Sequence, residues 1–311
     1  MLILDTLAPV FLVIGLGAAL QRFKLVPRDF LKDANKLAYW VGLPALLVHD
    51  LSASPLAFGA ARSMLGVTIL GAFCAVAVGY LAARLLRIPA LSVGTFVQGS
   101  FRGNLAFMGL PIIAAFPNVT LASGLSTRTA AILIIGPVMV LYNVLAVTVL
   151  LLSQHAFGPA VIKPFLKQLV TTPPLVASVV GIGLAESGLH LPGFLDFTLK
   201  SLGDMALPLG MLGIGGALVT SKMGASWRPS LGAALIKALV TPACGLLIAR
   251  WFGLSLPELR IVLIFLAAPT AIISYPMAVE LKGDLSIAAG SIVISTLLSV
   301  PILAIVVALG Q

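Results

Sequence analysis

Runs of about twenty apolar residues follow one another along this chain with short connections between them, and that succession leaves few folds open. A helix needs roughly 20 predominantly apolar residues to cross a bilayer. Ten such runs can be read, at about 3–21, 34–53, 62–85, 91–116, 128–152, 166–187, 195–220, 229–252, 258–281 and 285–309. They use up nearly all of the 311 residues. The expectation is therefore an all-α polytopic membrane protein with ten transmembrane helices and no soluble domain. Charge agrees with it. Only 9% of the residues are charged, against roughly 25% in soluble domains, too few to cover a water-facing surface. The first run contains Asp5, lacks a basic segment ahead of it and is followed by no small-residue cleavage site. It reads as a retained helix rather than a signal peptide.

The formal net charge of +9 does not call for a nucleic acid partner, because its distribution has a simpler cause. One set of alternate loops holds Arg22, Lys24, Arg28, Lys32, Lys36, Arg84, Arg87, Lys163, Lys167, Lys222, Arg228 and Lys282. The other set holds Arg62, Arg128, Lys200, Arg250 and Arg260. Twelve against five places the first set in the cytoplasm by the positive-inside rule, with both termini outside. Arg102 and Lys237 fall inside apolar runs and belong to neither set. Cys74 and Cys244 lack metal-ligand spacing and read as small core residues. The sequon at Asn118 is a pattern common by chance.

The chain also resembles itself. "LGVTILGAFCAVAVGYLAARLL" from Leu65 matches "LGAALIKALVTPACGLLIARWF" from Leu231 at an offset of 166. Pro44 and Pro208 stand 164 apart, and Pro111 and Pro276 stand 165 apart. A chance match of Leu, Ala and Gly would not hold the offsets within two residues of one another over three helices. The reading is a first repeat at 1–152, a short cytoplasmic linker at 153–165 and a second repeat at 166–311. Five helices per repeat means that the second enters the membrane from the opposite side. Inverted repeats of this kind characterise secondary transporters, whose sites lie where discontinuous helices of the two halves meet.

Within the fourth run, "FRGNLAFMGLPIIAAF" (residues 101–116) places Arg102, Gly103, Asn104, Gly109 and Pro111 where a lipid-facing helix would avoid them. The equivalent stretch, "FLAAPTAIISYPMAVELKG" (265–283), carries Pro269 and Pro276. Proline removes a backbone donor and clashes with the preceding turn, while glycine tolerates unwound chain. Freed backbone polar groups persist at membrane depth only in protein or beside a wet cavity. Two discontinuous helices, the fourth and the ninth, are expected here. A half-helix beginning near Asn104 would turn its N-terminal N–H groups toward an anion, with Asn104 as neutral donor and acceptor and Arg102 as charge.

The motif "GNLAFMGLPI" (103–112) resembles the auxin efflux carrier family, which includes plant PIN transporters and bacterial malate and malonate permeases. Asn104 and Gly109-Leu110-Pro111 match the family pattern. "NKLAYWVGLPALLVHDLS" (35–52), "PLGMLGIGGAL" (208–218) and "APTAIISYPMAVELKGDLSIAAGSIVISTLLSVPI" (268–302) agree with its second, seventh, and ninth and tenth helices. The short stretch between the fifth and sixth runs is similar to the bacterial branch. The resemblance implies a scaffold of helices 1, 2, 6 and 7, a transport bundle of helices 3–5 and 8–10 with the discontinuous helices 4 and 9 crossing, elevator-type movement and a homodimer formed through the scaffold. It also places Tyr142 near substrate.

The expected substrate-binding set is Arg102, Gly103, Asn104, Pro111, Tyr142, Pro269, Thr270 and Pro276, around a small organic anion, a mono- or dicarboxylate. Lys237 is expected either to pair with Glu280 or the substrate, as a coupling or charge-pairing group, or to snorkel to the cytoplasmic interface. H+ is the coupling ion considered. Asp50 and Asp204 read as interfacial, His49 as a packed histidine and Asn35 as a helix cap. No metal, cofactor or catalytic residue is expected, since the chain has no His-Glu-x-x-His, Gly-x-Ser-x-Gly or Walker loop. The competing readings are an uncoupled channel or uniporter for organic anions and a polytopic membrane enzyme. The expected location is the bacterial inner membrane.

Overall fold

The computed structural model describes residues 2–27, 29–53, 58–154, 173–220 and 226–309. In chain order the helices are α1 Leu2–Arg22, α2 Phe30–Leu37, α3 Leu43–Ser52, α4 Phe58–Leu85, α5 Ala90–Phe101, α6 Leu110–Ala114, α7 Thr127–Gln154 and α8 Pro173–Ser187. They continue as α9 Gly193–Asp204, α10 Ala206–Thr220, α11 Trp227–Leu235, α12 Thr241–Ala249, α13 Leu256–Ala267, α14 Ser274–Glu280 and α15 Leu285–Ala308. Among the described residues the only β-type pairings are two isolated bridges. The protein is all-α. Five stretches among the described residues are long and apolar enough to cross a membrane: Ala61–Leu85, Thr127–Gln154, Gly193–Thr220, Trp227–Ala249 and Leu285–Ala308.

Helix α7 runs on to Gln154, past the expected end of the first repeat at 152. The rest of the expected linker, the start of the sixth run, and Lys163 and Lys167 lie outside the described residues.

Three wide π-type turns each run directly into a helix, at Ala38–Gly42, Leu105–Gly109 and Ile236–Val240, and the first and third also continue the helix before them. Each is followed at the second position of the next helix by a proline: Pro44, Pro111 and Pro242. The cause is steric. A proline ring collides with the carbonyl four residues back, which here belongs to Trp40, Phe107 or Ala238. All three fall inside a widened turn, so the chain relieves the clash locally and remains helical. Asn35 lies inside α2, and the residue at that helix's N-cap is Asp29. The capping role expected of Asn35 is therefore wrong. Its side chain instead packs on the bare face of Gly213.

The chain divides into two compact units. The first comprises Met1–Arg62, Ala106–Met139 and Val170–Thr220. Its helices pack through glycines. A Cβ on Gly215 would come 1.9 Å from the Ile14 carbonyl, and one on Gly17 would come 2.2 Å from the Leu212 carbonyl, so α1 and α10 lie backbone to backbone. Gly181 of α8 and Gly203 of α9 meet α3 in the same way, at Leu51 and Leu46. Lipid supplies no hydrophobic drive between helices, and small residues let van der Waals contact supply the association instead.

The second unit comprises Ser63–Leu105, Val140–Leu169 and Ser221–Gln311. Here α5, α11 and α15 pack together, with Gly99 against Ser291 and Ala233, and Gly290 against Ser230. Asp284 caps α15 by accepting from the Ser286 and Ile287 N–H groups at 3.0 and 3.1 Å. It also accepts from Ser92 Oγ at 2.9 Å, and its own N–H donates to Thr95 Oγ1 at 2.9 Å. The starts of α5 and α15 are thereby fastened to one another.

Candidate substrate site at two helix breaks

The site forms inside the second unit, where α5 and α13 both end. After Phe101 the chain is extended at Arg102 (φ −75°, ψ 97°), and after Ala267 it is extended at Ala268 (φ −54°, ψ 135°). The two extended segments pair antiparallel through a bridge between Gly103 and Thr270. The Asn104 N–H donates to the Pro269 carbonyl at 2.7 Å, and the Ala271 N–H donates to the Arg102 carbonyl at 2.9 Å. Each break thus satisfies backbone groups of the other. Gly103 suits the close approach. A Cβ there would lie 3.2 Å from the Phe265 carbonyl and 3.3 Å from Lys237 Cε.

Side chains satisfy three of the carbonyls near the ends of these two helices. Thr270 Oγ1 donates to Gly99 O at 2.8 Å, and Thr241 Oγ1 donates to Ser100 O at 3.2 Å. Lys237 Nζ donates to Leu266 O. The Thr270 N–H in turn donates to Ser295 Oγ at 2.9 Å, which ties the second break to α15.

Around this junction the polar groups are buried. Arg102 is 4% exposed. Its guanidinium donates to the Met277 sulfur and to Asn143 Oδ1. Gln98, one turn before Arg102, points its Nε2 at the same sulfur, 3.8 Å away. Tyr142 sets its ring edge-on to Phe101, with centroids 5.7 Å apart and planes at 73°. Its hydroxyl, Gln98 Oε1, Ser274 Oγ and Ser291 Oγ are buried without a hydrogen-bond partner among the described residues. Buried polar atoms of this kind are few in native proteins and point to a missing partner.

Of the residues singled out from sequence, Arg102, Gly103, Asn104, Tyr142, Pro269 and Thr270 all belong to this unit. Pro276 is in α14 of the same unit and its ring is exposed. Pro111 is buried in α6 and belongs to the first unit. The half-helix expected to begin near Asn104 is present as one apolar helical stretch, Leu105–Ala114. The Asn104 N–H just before it is used by the Pro269 carbonyl, and its first turn is the wide one that runs straight into α6. Lys237 is 0% exposed and does not snorkel to an interface. The side chain of Glu280, its other expected partner, lies outside the described residues.

Gln98, Asn143, Thr241, Met277 and Ser295 were not singled out. Gln98 and Asn143 are the amides in otherwise apolar runs, four residues before Arg102 and one after Tyr142, and that isolation was the available signal. In the first unit, His49 Nδ1 lies 2.7 Å from Asp196 Oδ1, and Arg128 donates to Asp50 Oδ2 at 3.2 Å. Asp204 is exposed and pairs with Lys200 one turn earlier at 2.7 Å. Among the described residues no group of three or more His, Cys, Asp or Glu is placed to hold a metal ion.

A family model described as a membrane transport protein matches residues 2–160 and 157–307. A protein named an uncharacterized transporter, from Methanocaldococcus jannaschii, is 21% identical over 318 residues, which cover 98% of each chain.

Proposed function

Because the chain belongs to the membrane transport protein family, that of the auxin efflux carriers, we propose that it is a secondary transporter for a small organic anion, a mono- or dicarboxylate, bound at the paired breaks of α5 and α13. One observation carries this reading: a buried guanidinium, Arg102, stands at the junction of two interrupted helices in a multi-pass membrane protein. Ionisable groups at membrane depth are costly and mark substrate or ion pathways. Arginine presents donors in a planar fork that matches a carboxylate. The Tyr142 hydroxyl and Gln98 Oε1 supply further polar contacts for orienting a ligand, and Asn104 and Thr270 fix the backbone beside it.

The mechanism that fits this reading is elevator-type alternating access, in which the unit that holds the site shifts across the bilayer. Two inverted five-helix repeats, a homodimer built through the scaffold helices, H+ as coupling ion, and an inner-membrane location with both termini outside complete the proposal. The constant repeat offsets and the charge distribution support the repeats and the topology.

The test is thermal denaturation of the purified protein with a panel of carboxylates and their neutral amides. At least one carboxylate is expected to raise the melting temperature while its amide does not. Stabilisation by amines or neutral sugars, with none from any carboxylate, overturns the anion assignment.

A further inference from the structure

Lys237 has a place in the fold that the substrate reading leaves unexplained. The last carbonyls of a helix have no partner inside it, and they carry the negative end of its dipole. In carriers built on broken helices, such carbonyl ends are where a coupling cation is coordinated. Here two helices end side by side, and three of the carbonyls near their ends accept from side chains of the protein itself. Gly99 O accepts from Thr270 Oγ1, Ser100 O from Thr241 Oγ1, and Leu266 O from the Lys237 ammonium.

The ammonium is held there by construction. Lys237 leaves the wide turn Ile236–Val240, which Pro242 imposes, and its stem passes over the bare face of Gly103, with Cε 3.3 Å from the position of a Cβ. The side chain is fully buried, so its charge interacts through protein and not through water. A lysine ammonium has three donors and no acceptor, and a fully buried one is rare unless its charge is answered. The carboxyl end of α13 answers it.

We propose that Lys237 is a resident cation, held at the carbonyl end of α13 where a monovalent metal ion would otherwise bind. The unaltered break then has no sodium site, and shortening Lys237 to a small residue opens one. The inference rests on the reading of this junction as the transport site, but its test uses no organic anion, so the two can fail separately.

The full-length purified protein is heated in sodium, lithium or choline chloride at one ionic strength and one pH. The unaltered protein is expected to melt at the same temperature in all three. Lys237→Ala and Lys237→Ser are expected to melt lower in choline and to recover by at least about 2 °C in sodium or lithium, as binding to the native state alone would produce. Sodium-specific stabilisation of the unaltered protein overturns the proposal without any variant. So does a variant that is purified folded and melts alike in all three salts. If neither variant folds, both are prepared in sodium and then exchanged into choline. Failure to recover folded protein even with sodium present counts against a site that sodium can fill.

Discussion

Arg102 bears most of the chemistry at the scale of single residues. Its donors already reach Met277 and Asn143 inside the protein, so a carboxylate arriving there meets a guanidinium whose orientation is fixed in advance. Hydrogen bonds to charged groups contribute about 1.5–3 kcal/mol. Arg102→Gln is therefore expected to weaken carboxylate binding by about 10- to 100-fold, measured as the concentration needed for half-maximal thermal stabilisation. Lys237→Gln should weaken it less, because that ammonium faces Leu266 O. An equal or larger effect at Lys237 would move the anion away from Arg102. At Asn104 the backbone N–H belongs to the bridge with Pro269 and survives substitution. Asn104→Ala should therefore leave expression and dimerisation intact while abolishing uptake into proteoliposomes. Normal uptake with unchanged affinity would remove the junction from the site.

Among elements, the breaks were the most legible features, because the residues that cause them are punctuation in an apolar text. An arginine, two glycines and a proline between residues 101 and 111 announce that a helix cannot run through. The chain beyond the break was less legible. The helix resumes at Leu105 and runs to Ala114, but that its first turn widens depends on packing, and the sequence between Leu105 and Phe116 is uniformly apolar apart from Gly109 and Pro111. The capping role of Asn35 failed because α2 begins five residues earlier, at Phe30. Lys237 could not be located either. Both snorkelling and burial are open to a lysine two turns into a helix, and only the position of the Leu266 carbonyl decides between them. Two further outcomes belong to this scale. Thr270→Val removes the donor to Gly99 O and leaves a buried carbonyl unpaired, a cost of about 1–3 kcal/mol, so the melting temperature should fall by several degrees without loss of secondary structure. Gly215→Val drives a side chain into the Ile14 carbonyl, and a clash with backbone goes beyond the roughly 1–3 kcal/mol of ordinary overpacking. That variant is expected not to accumulate as folded protein.

For the whole molecule, composition and charge say more than any site. The succession of apolar runs dictates helices, since a segment in lipid must satisfy its own backbone, and the twelve-to-five division of basic loop residues supports the proposed orientation. A cysteine added after Gln311, in a background lacking Cys74 and Cys244, should react with an impermeant thiol reagent from outside the cell, and labelling only from the cytoplasmic side would reverse the topology. The central claim is that a carboxylate is carried, one turnover at a time, by the junction of α5 and α13. Counterflow tests it most directly. Proteoliposomes loaded with a carboxylate that stabilises the protein should take up the same labelled carboxylate transiently against its gradient, with saturable kinetics, and Arg102→Gln should raise the concentration needed for half-saturation. Non-saturable flux without counterflow, or counterflow indifferent to Arg102, would contradict the account.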